Sequence, residues 1–260
     1  MTDDGDLSRS APSVLHNGIR VLRAFSVDEP ALGVTEIARR VELHKSTASR
    51  ILAQLEQLEL VVRDPESGRF RLGLGLVGLA GPLLANLDVR RIAYPVLEGL
   101  TARTGETSAL VVSSGSESVS VEQVPSPHQV KHTTPIGTRY TTSASASVQV
   151  FLAELPESRV RELLEGRLLH PGHDDERSVR ALLDRLARVR ADGVAVNAGE
   201  TSVEEVGVSA PVRDHRGVTV AAVLLSAPSF RVSDHLRGQL CTVVRDTGNT
   251  LSERLGAVVR

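Results

Sequence analysis

The chain has a single cysteine, Cys241, in 260 residues, so no disulfide can form within it, and a reducing cytoplasm is the expected setting. Aromatic residues are almost as scarce, with two tyrosines, four phenylalanines and no tryptophan; a binding pocket built here would be aliphatic and polar, poorly suited to stacking large flat ligands. No apolar run approaches the roughly 18 residues of a membrane-spanning helix. The opening MTDDGDLSRSAPS is polar and acidic and lacks the apolar stretch of a secretory signal. Lysine is nearly missing, present only as Lys45 and Lys131, so arginine carries the positive charge. An overall basic excess is absent too. With a net charge of −2, any nucleic-acid-binding face has to be a local patch.

Such a patch is present. Arg39, Arg40, Lys45 and Arg50 fall within twelve residues against the single acid Glu42, and Arg63, Arg69 and Arg71 follow. Beyond a tail over residues 1–12 expected to be disordered, a helix is predicted over Val14–Phe25. A second is predicted over Glu36–Val41 with Thr35 as its N-cap, then a tight turn at Glu42–His44 and a helix over Lys45–Leu58. At about 100° per residue, Ala48, Ile51, Leu52 and Leu55 share one face of that last helix, while Ser46, Ser49, Arg50 and Ala53 share the opposite face. Short side chains let a backbone approach the floor of a groove, and a forked guanidinium matches guanine O6 and N7 or a phosphate. Two short helices joined by a tight turn make a helix-turn-helix whose second helix presents Ser46, Ser49 and Arg50, flanked by Lys45 and Thr47 at phosphates. Leu60–Arg63 and Arg69–Gly73, separated by Asp64-Pro-Glu-Ser-Gly68, read as a β-hairpin, a wing carrying Arg69 and Arg71.

The next stretch, Gly73-Leu-Gly-Leu-Val-Gly78, matches G-x-G-x-x-G. A dinucleotide site also needs a βαβ unit, whereas the residues downstream, Val89, Ile92, Ala93, Val96, Leu97 and Leu100, have helical spacing. A small-residue linker leading into a helix is the plainer reading, with Pro82 limiting regular structure. From Glu106 onward the pattern alternates. Strands are expected at Thr107–Ser113, Val119–Val124, Gln129–Thr134, Val194–Asn197, Val206–Val212 and Val218–Ser226, and helices at Ser143–Leu155, Glu176–Ala191 and Ser233–Val259. The whole is therefore read as α+β: residues 13–76 a winged helix-turn-helix, 77–87 a linker, and 88–260 a sensor domain with a mostly antiparallel sheet.

Enzymatic chemistry finds little support. His170, His173, Asp174 and Asp175 are interrupted by Pro171 and Gly172 and lack the register of a metal site. Gly115-Ser-Glu-Ser-Val fails as a nucleophile elbow at its last position. Neither metal, cofactor nor catalytic residue is expected.

The chain resembles the IclR family of bacterial transcription regulators over nearly its whole length. The resemblance is carried by SVLHNGIRVLRAF, VTEIARRVELHKSTASRILAQLEQL and GRFRLGLGL in the first part. In the second it is carried by PIGTRYTTSASASVQVFLAELPE and DGVAVNAGETSVEEVGVSAPVRDHRGVTVAAVLLSAP. It implies a winged helix-turn-helix joined by a helix to a GAF-like effector domain, acting as a homodimer or homotetramer on double-stranded operator DNA. The implied ligand-lining positions are Ala146, Ser147, Asn197, Gly207, Leu224 and Ser226, and a small organic acid is the expected effector. Where the family often has proline before its Ser-Thr pair, this chain has His44-Lys45; where it usually has glycine after the recognition helix, this chain has Glu59; and Val148-Gln149 replaces a common Gly-Lys pair. Two other functions are weighed: a constitutive or architectural DNA-binding regulator whose second domain only oligomerises, and an enzyme with an appended DNA-binding domain.

Overall fold

The computed structural model describes residues 14–26, 28–85, 88–166 and 176–258. They belong to two compact units, one ending at Asn86 and the other beginning at Leu87. The tail at 1–12 and the histidine–aspartate segment at 170–175, both singled out in the sequence, lie outside the described residues.

In the first unit, helices α1 (Val14–Arg23), α2 (Val34–Arg40) and α3 (Lys45–Gln57) precede a hairpin of β1 (Val61–Arg63) and β2 (Phe70–Leu72). Val21, Phe25, Leu32, Ile37, Leu52, Val61 and Phe70 form its core, so each element contributes the apolar positions its period selects. Leu32 pairs with Phe70 through reciprocal backbone bonds of 3.0 and 2.8 Å, which ties the loop before α2 to the wing. The start of α2 differs from expectation. Its N-cap is Gly33, not Thr35, because Glu36 reaches back and accepts from the Gly33 N–H at 2.7 Å. That bond, ahead of the nearby Arg69 charge, holds the Glu36 carboxyl below its ordinary 4.5. The stretch around Pro82 is also a correction: α4 runs Gly75–Ala85 as helix. Its sequence, GLVGLAGPLLA, has four leucines and two alanines, good helix formers, around its one proline and three glycines.

In the second unit, six antiparallel strands stand in the order β5-β4-β3-β8-β7-β6. They are β3 (Thr107–Ser114), β4 (Glu117–Val124), β5 (Arg139–Tyr140), β6 (Ala195–Ala198), β7 (Glu205–Arg213) and β8 (Thr219–Pro228). Successive strand residues point to opposite faces. Val206, Val208, Ala210, Val223 and Leu225 pack on helices α5 (Asp88–Thr104) and α9 (Asp234–Arg254). Ala109, Val111, Ala195, Ala222 and Leu224 face helices α6 (Ala146–Leu152), α7 (Glu157–Glu165) and α8 (Glu176–Asp192). Glu106, just before β3, is buried and receives two bonds of 2.7 Å from Arg231, which pins the 3-10 turn after β8 to the start of β3.

The strand expected at 129–134 is not formed. Side chains take the hydrogen bonds a ladder would need: Thr107 Oγ1 donates to the His132 carbonyl, Ser120 Oγ to the Thr134 carbonyl, and Gln123 Oε1 accepts from the Thr134 N–H. The pairing strand comes later, at Arg139–Tyr140. Helix α7 was not foreseen, and the terminal helix stops at Arg254, short of the expected Val259.

Two predictions follow from the wing unit. Glu59 sits at φ 57°, a left-handed position that L side chains enter at a cost and glycine enters freely. After allowing for the extra freedom of an unfolded glycine, Glu59→Gly should stabilise this unit by about 0.5–1 kcal/mol, slowing amide exchange at Leu52 and Val61 by roughly 2- to 5-fold. In the hairpin turn, the Ser67 N–H, then the Ser67 hydroxyl and Arg71, hold the Asp64 carboxyl at about 2 instead of 3.8. The folded-state value is depressed, so this turn's contribution is complete above pH 3.8 and is lost as pH falls through about 2. A carboxyl NMR titration should place the Asp64 midpoint near 2, and Ser67→Ala should move it upward.

Candidate nucleic-acid interface and ligand cavity

Helix α3 is held by its buried side. Ala48, Ile51, Leu52 and Leu55 are in the core, while Lys45, Ser46, Ser49 and Arg50 are exposed and Thr47 is half-buried. Among the described residues neither Lys45 nor Arg50 has an ion-pair or hydrogen-bond partner, and the same is true of the exposed Arg39 at the end of α2. The rest of the basic patch is spent on structure. Arg40 pairs with Glu29 at 2.5 Å and donates to the Ala24 carbonyl, and Arg20 approaches Glu42 at 3.7 Å. Arg63 lies over the Phe70 ring at 5.8 Å.

The two wing arginines differ from one another. Arg69, expected at the DNA, donates to Glu36 at 2.8 Å and to the Ala31 carbonyl at 3.2 Å. Its guanidinium latches the wing to the first turn of α2. Arg71 is more exposed and, among the described residues, bonds only Asp64 of its own hairpin, at 2.6 Å. What remains is a face of short hydroxyls with free cations at its edges, on a helix whose other side is anchored.

The second unit contains a cavity of about 180 Å³. Five of the six expected ligand residues line it: Ala146 and Ser147 from α6, Asn197 from β6, Gly207 from β7 and Leu224 from β8. Ser226 is not among its lining. It lies on the same face of β8 as Leu224 but roughly 7 Å farther along the strand. There it pairs across to Gly207 and Thr107, and its Oγ is buried without a partner among the described residues. Gly207 opens the cavity. A Cβ there would meet Asn197, Ala146 and Leu224 at 3.8–3.9 Å, ordinary contacts, so the space is free of protein but is bounded on three sides.

Hydrogen bonds fix the walls. Ser147 Oγ lies 2.8 Å from Ser118 Oγ. Gln149, at one of the positions where the family's Gly-Lys pair was expected, is fully buried and donates to the Ala144 carbonyl at 3.0 Å, fastening the small-residue loop before α6. Asn197 accepts from the N–H groups of Glu200 and Thr201 and donates to Thr201 Oγ1, so its amide organises a turn at the rim. Arg139, Tyr140, Ser145, Thr201 and Glu205 complete most of the lining and were not foreseen. One signal was available for Glu205: at a strand period of two it shares the face of Gly207. Burial, and then the Glu205 charge, push the Tyr140 phenol up, so it stays a neutral donor.

A wider groove of about 500 Å³ runs between the start of α7 and α8, lined by Glu154, Glu157, Asp184 and Arg190 among others. It contains none of the expected residues, and Arg190 there already donates to the Ala153 carbonyl at 2.8 Å. Size alone therefore does not identify the site.

Comparison with known proteins bears on both units. The sequence model for the IclR helix-turn-helix domain matches residues 14–65, and that for the bacterial transcriptional regulator IclR C-terminal domain matches residues 82–253. The transcriptional regulator XynR of Escherichia coli K12 is 29% identical over 93% of this chain and 96% of its own length. The transcriptional repressor AllR of the same strain is 26% identical over 96% of this chain and 93% of its own. An IclR homologue from Microbacterium hydrocarbonoxydans, solved in complex with 4-hydroxybenzoate, superposes with a TM-score of 0.75 at 26% identity, covering 94% of this chain and 99% of that one. A solved chain of the IclR family, 51% identical, covers 66% of this chain and 99% of its own with a TM-score of 0.65. With both domain models matched in order, and relatives aligned from end to end, the chain belongs to the IclR family of bacterial transcriptional regulators.

Proposed function

We propose that the chain is a sequence-specific DNA-binding regulator whose operator affinity is set by a small molecule held in the 180 Å³ cavity. The observation that carries this reading is the exposed face of α3, where Ser46, Ser49 and Arg50 stand clear of the protein and Arg50 has no partner among the described residues. In this reading α3 enters the major groove, Arg50 reads a guanine or grips a phosphate, and Lys45 and Thr47 take phosphates. Arg71 contacts the DNA backbone from the wing once Asp64 yields it, and Arg69 positions that wing from behind. The operator is an inverted repeat bound by a homodimer or homotetramer.

The effector is a small organic acid bound among Ala146, Ser147, Asn197, Gly207 and Leu224. The 4-hydroxybenzoate bound to the Microbacterium homologue supports an acid of this size. Binding changes operator affinity only to the extent that the ligand prefers one of two states of the protein.

Arg50→Ala is expected to weaken operator binding by about 1–3 kcal/mol and to change binding to unrelated DNA much less. Fluorescence anisotropy with both DNAs checks this, and equal losses would reduce Arg50 to a phosphate contact. Gly207→Ala adds a methyl that the protein accommodates at 3.8–3.9 Å but that takes ligand space. It should abolish effector-induced operator release in a protein that still folds, as read by gel shift with cell metabolite extracts beside circular dichroism. Release at wild-type extract concentrations would move the effector site elsewhere.

A further inference from the structure

The cavity's charge is not that of a site for a plain anion. Two charged residues line it, Arg139 and Glu205. Arg139, on the edge strand β5, is already engaged by Glu117 of β4. Glu205, the first residue of β7, is half-buried, and its carboxylate has no hydrogen bond or ion pair among the described residues. With Arg139 neutralised from outside the lining, the unmatched charge facing the cavity is negative.

We propose that the molecule filling this cavity carries a hydrogen-bond donor, a hydroxyl or an ammonium, that docks on the Glu205 carboxylate, and that carboxylic acids without such a group bind at least about 10-fold more weakly. The proposal rests on reading the cavity as the effector site and assigns the ligand's class to it.

The remaining groups divide the labour accordingly. Hydroxyls can donate or accept, but a carboxylate only accepts, so the ligand atom opposite Glu205 has to donate. Elsewhere the lining offers protons. Thr201 Oγ1 accepts from Asn197, which leaves its own hydrogen for another acceptor. Ser145 sits at the N-cap of α6 yet makes no capping bond, so its hydroxyl is available to the cavity. Tyr140 is a phenol donor, held neutral by burial and by Glu205 itself. An acid group on the ligand would therefore accept from the Ser145 and Thr201 hydroxyls, with the donor toward Glu205. A volume of about 180 Å³ equals roughly six waters at about 30 Å³ each, which suits a small organic molecule. A bare acid of that size would share so small a space with an unpaired carboxylate and leave it desolvated without a partner.

The test uses titration calorimetry on the full chain with size-matched sets: propionate, lactate and alanine; butyrate, 3-hydroxybutyrate and 4-aminobutyrate. In the wild-type protein at least one hydroxyl or amino compound should bind at least about 10-fold more tightly than its bare partner, as expected for one charge-assisted hydrogen bond. Whether the hydroxyl or the amino member leads identifies the donor. Glu205→Leu should erase or invert that preference. Equal binding of the bare acids, a preference that survives Glu205→Leu, or no binding by any donor-bearing compound overturns the proposal. Gly207→Ala separates this failure from that of the parent reading. Binding it abolishes, but without donor preference, removes only the ligand class; binding it leaves unaltered removes the effector-site reading as well.

Discussion

Burial of the β7–β8 ladder on both faces is the constraint from which the second unit is built. Ala221 through Pro228 are buried along their whole length, and Val206 through Ala210 are buried beside them. A sheet covered on one side can leave its polar residues in water; this one cannot. One face solves the problem with aliphatic residues against α5 and α9. The other admits Ser118, Ser209, Asn197 and Gly207, and nearly every polar group there is tied to a neighbour. Ser209 bonds the Val223 carbonyl and Ser118 bonds Ser147, while on the first face Ser108 of β3 bonds Thr101 and the Leu97 carbonyl of α5. The cavity opens where this face has a glycine, and packing without a void would have required a side chain at position 207.

In the first unit the corresponding constraint is the division of α3. Its buried stripe of Ala48, Ile51, Leu52 and Leu55 fixes the helix on the core and leaves the opposite stripe exposed on a rigid support. Ion pairs then sort the cations. Arg20, Arg40 and Arg69 are consumed within the fold, and Arg39, Lys45 and Arg50 are left over. A chain with net charge −2 can thus present a local basic surface, because its acids Glu29, Glu36 and Glu42 are placed against the arginines that support structure.

Family resemblance and cavity geometry converge on Ala146, Ser147, Asn197, Gly207 and Leu224 from different directions. They part at Ser226, whose hydroxyl is buried beside Gly207 and outside the lining, and at Glu205, which no motif marked. Asn197 is in the lining but has its amide committed to Glu200 and Thr201, so it shapes the rim more than it offers free hydrogen-bonding capacity.

Periodicity by itself determined the helix-turn-helix, the wing hairpin, the long helices α5, α8 and α9, and the strands β3, β4, β6, β7 and β8, because those patterns depend on residues two to four apart. Order and spacing of motifs identified the family. Tertiary structure alone decided what joins residues far apart in sequence. Examples are Arg69 latched to Glu36, Arg231 closing on Glu106, and Glu205 brought against Tyr140 at the cavity. It also decided that 129–134 would be a loop, since side chains from β3 and β4 outcompeted a ladder for its backbone. Local patterns record which face a residue takes, but which distant face meets it is set by strand order and by the packing of helices on the sheet, and a single sequence does not spell those out.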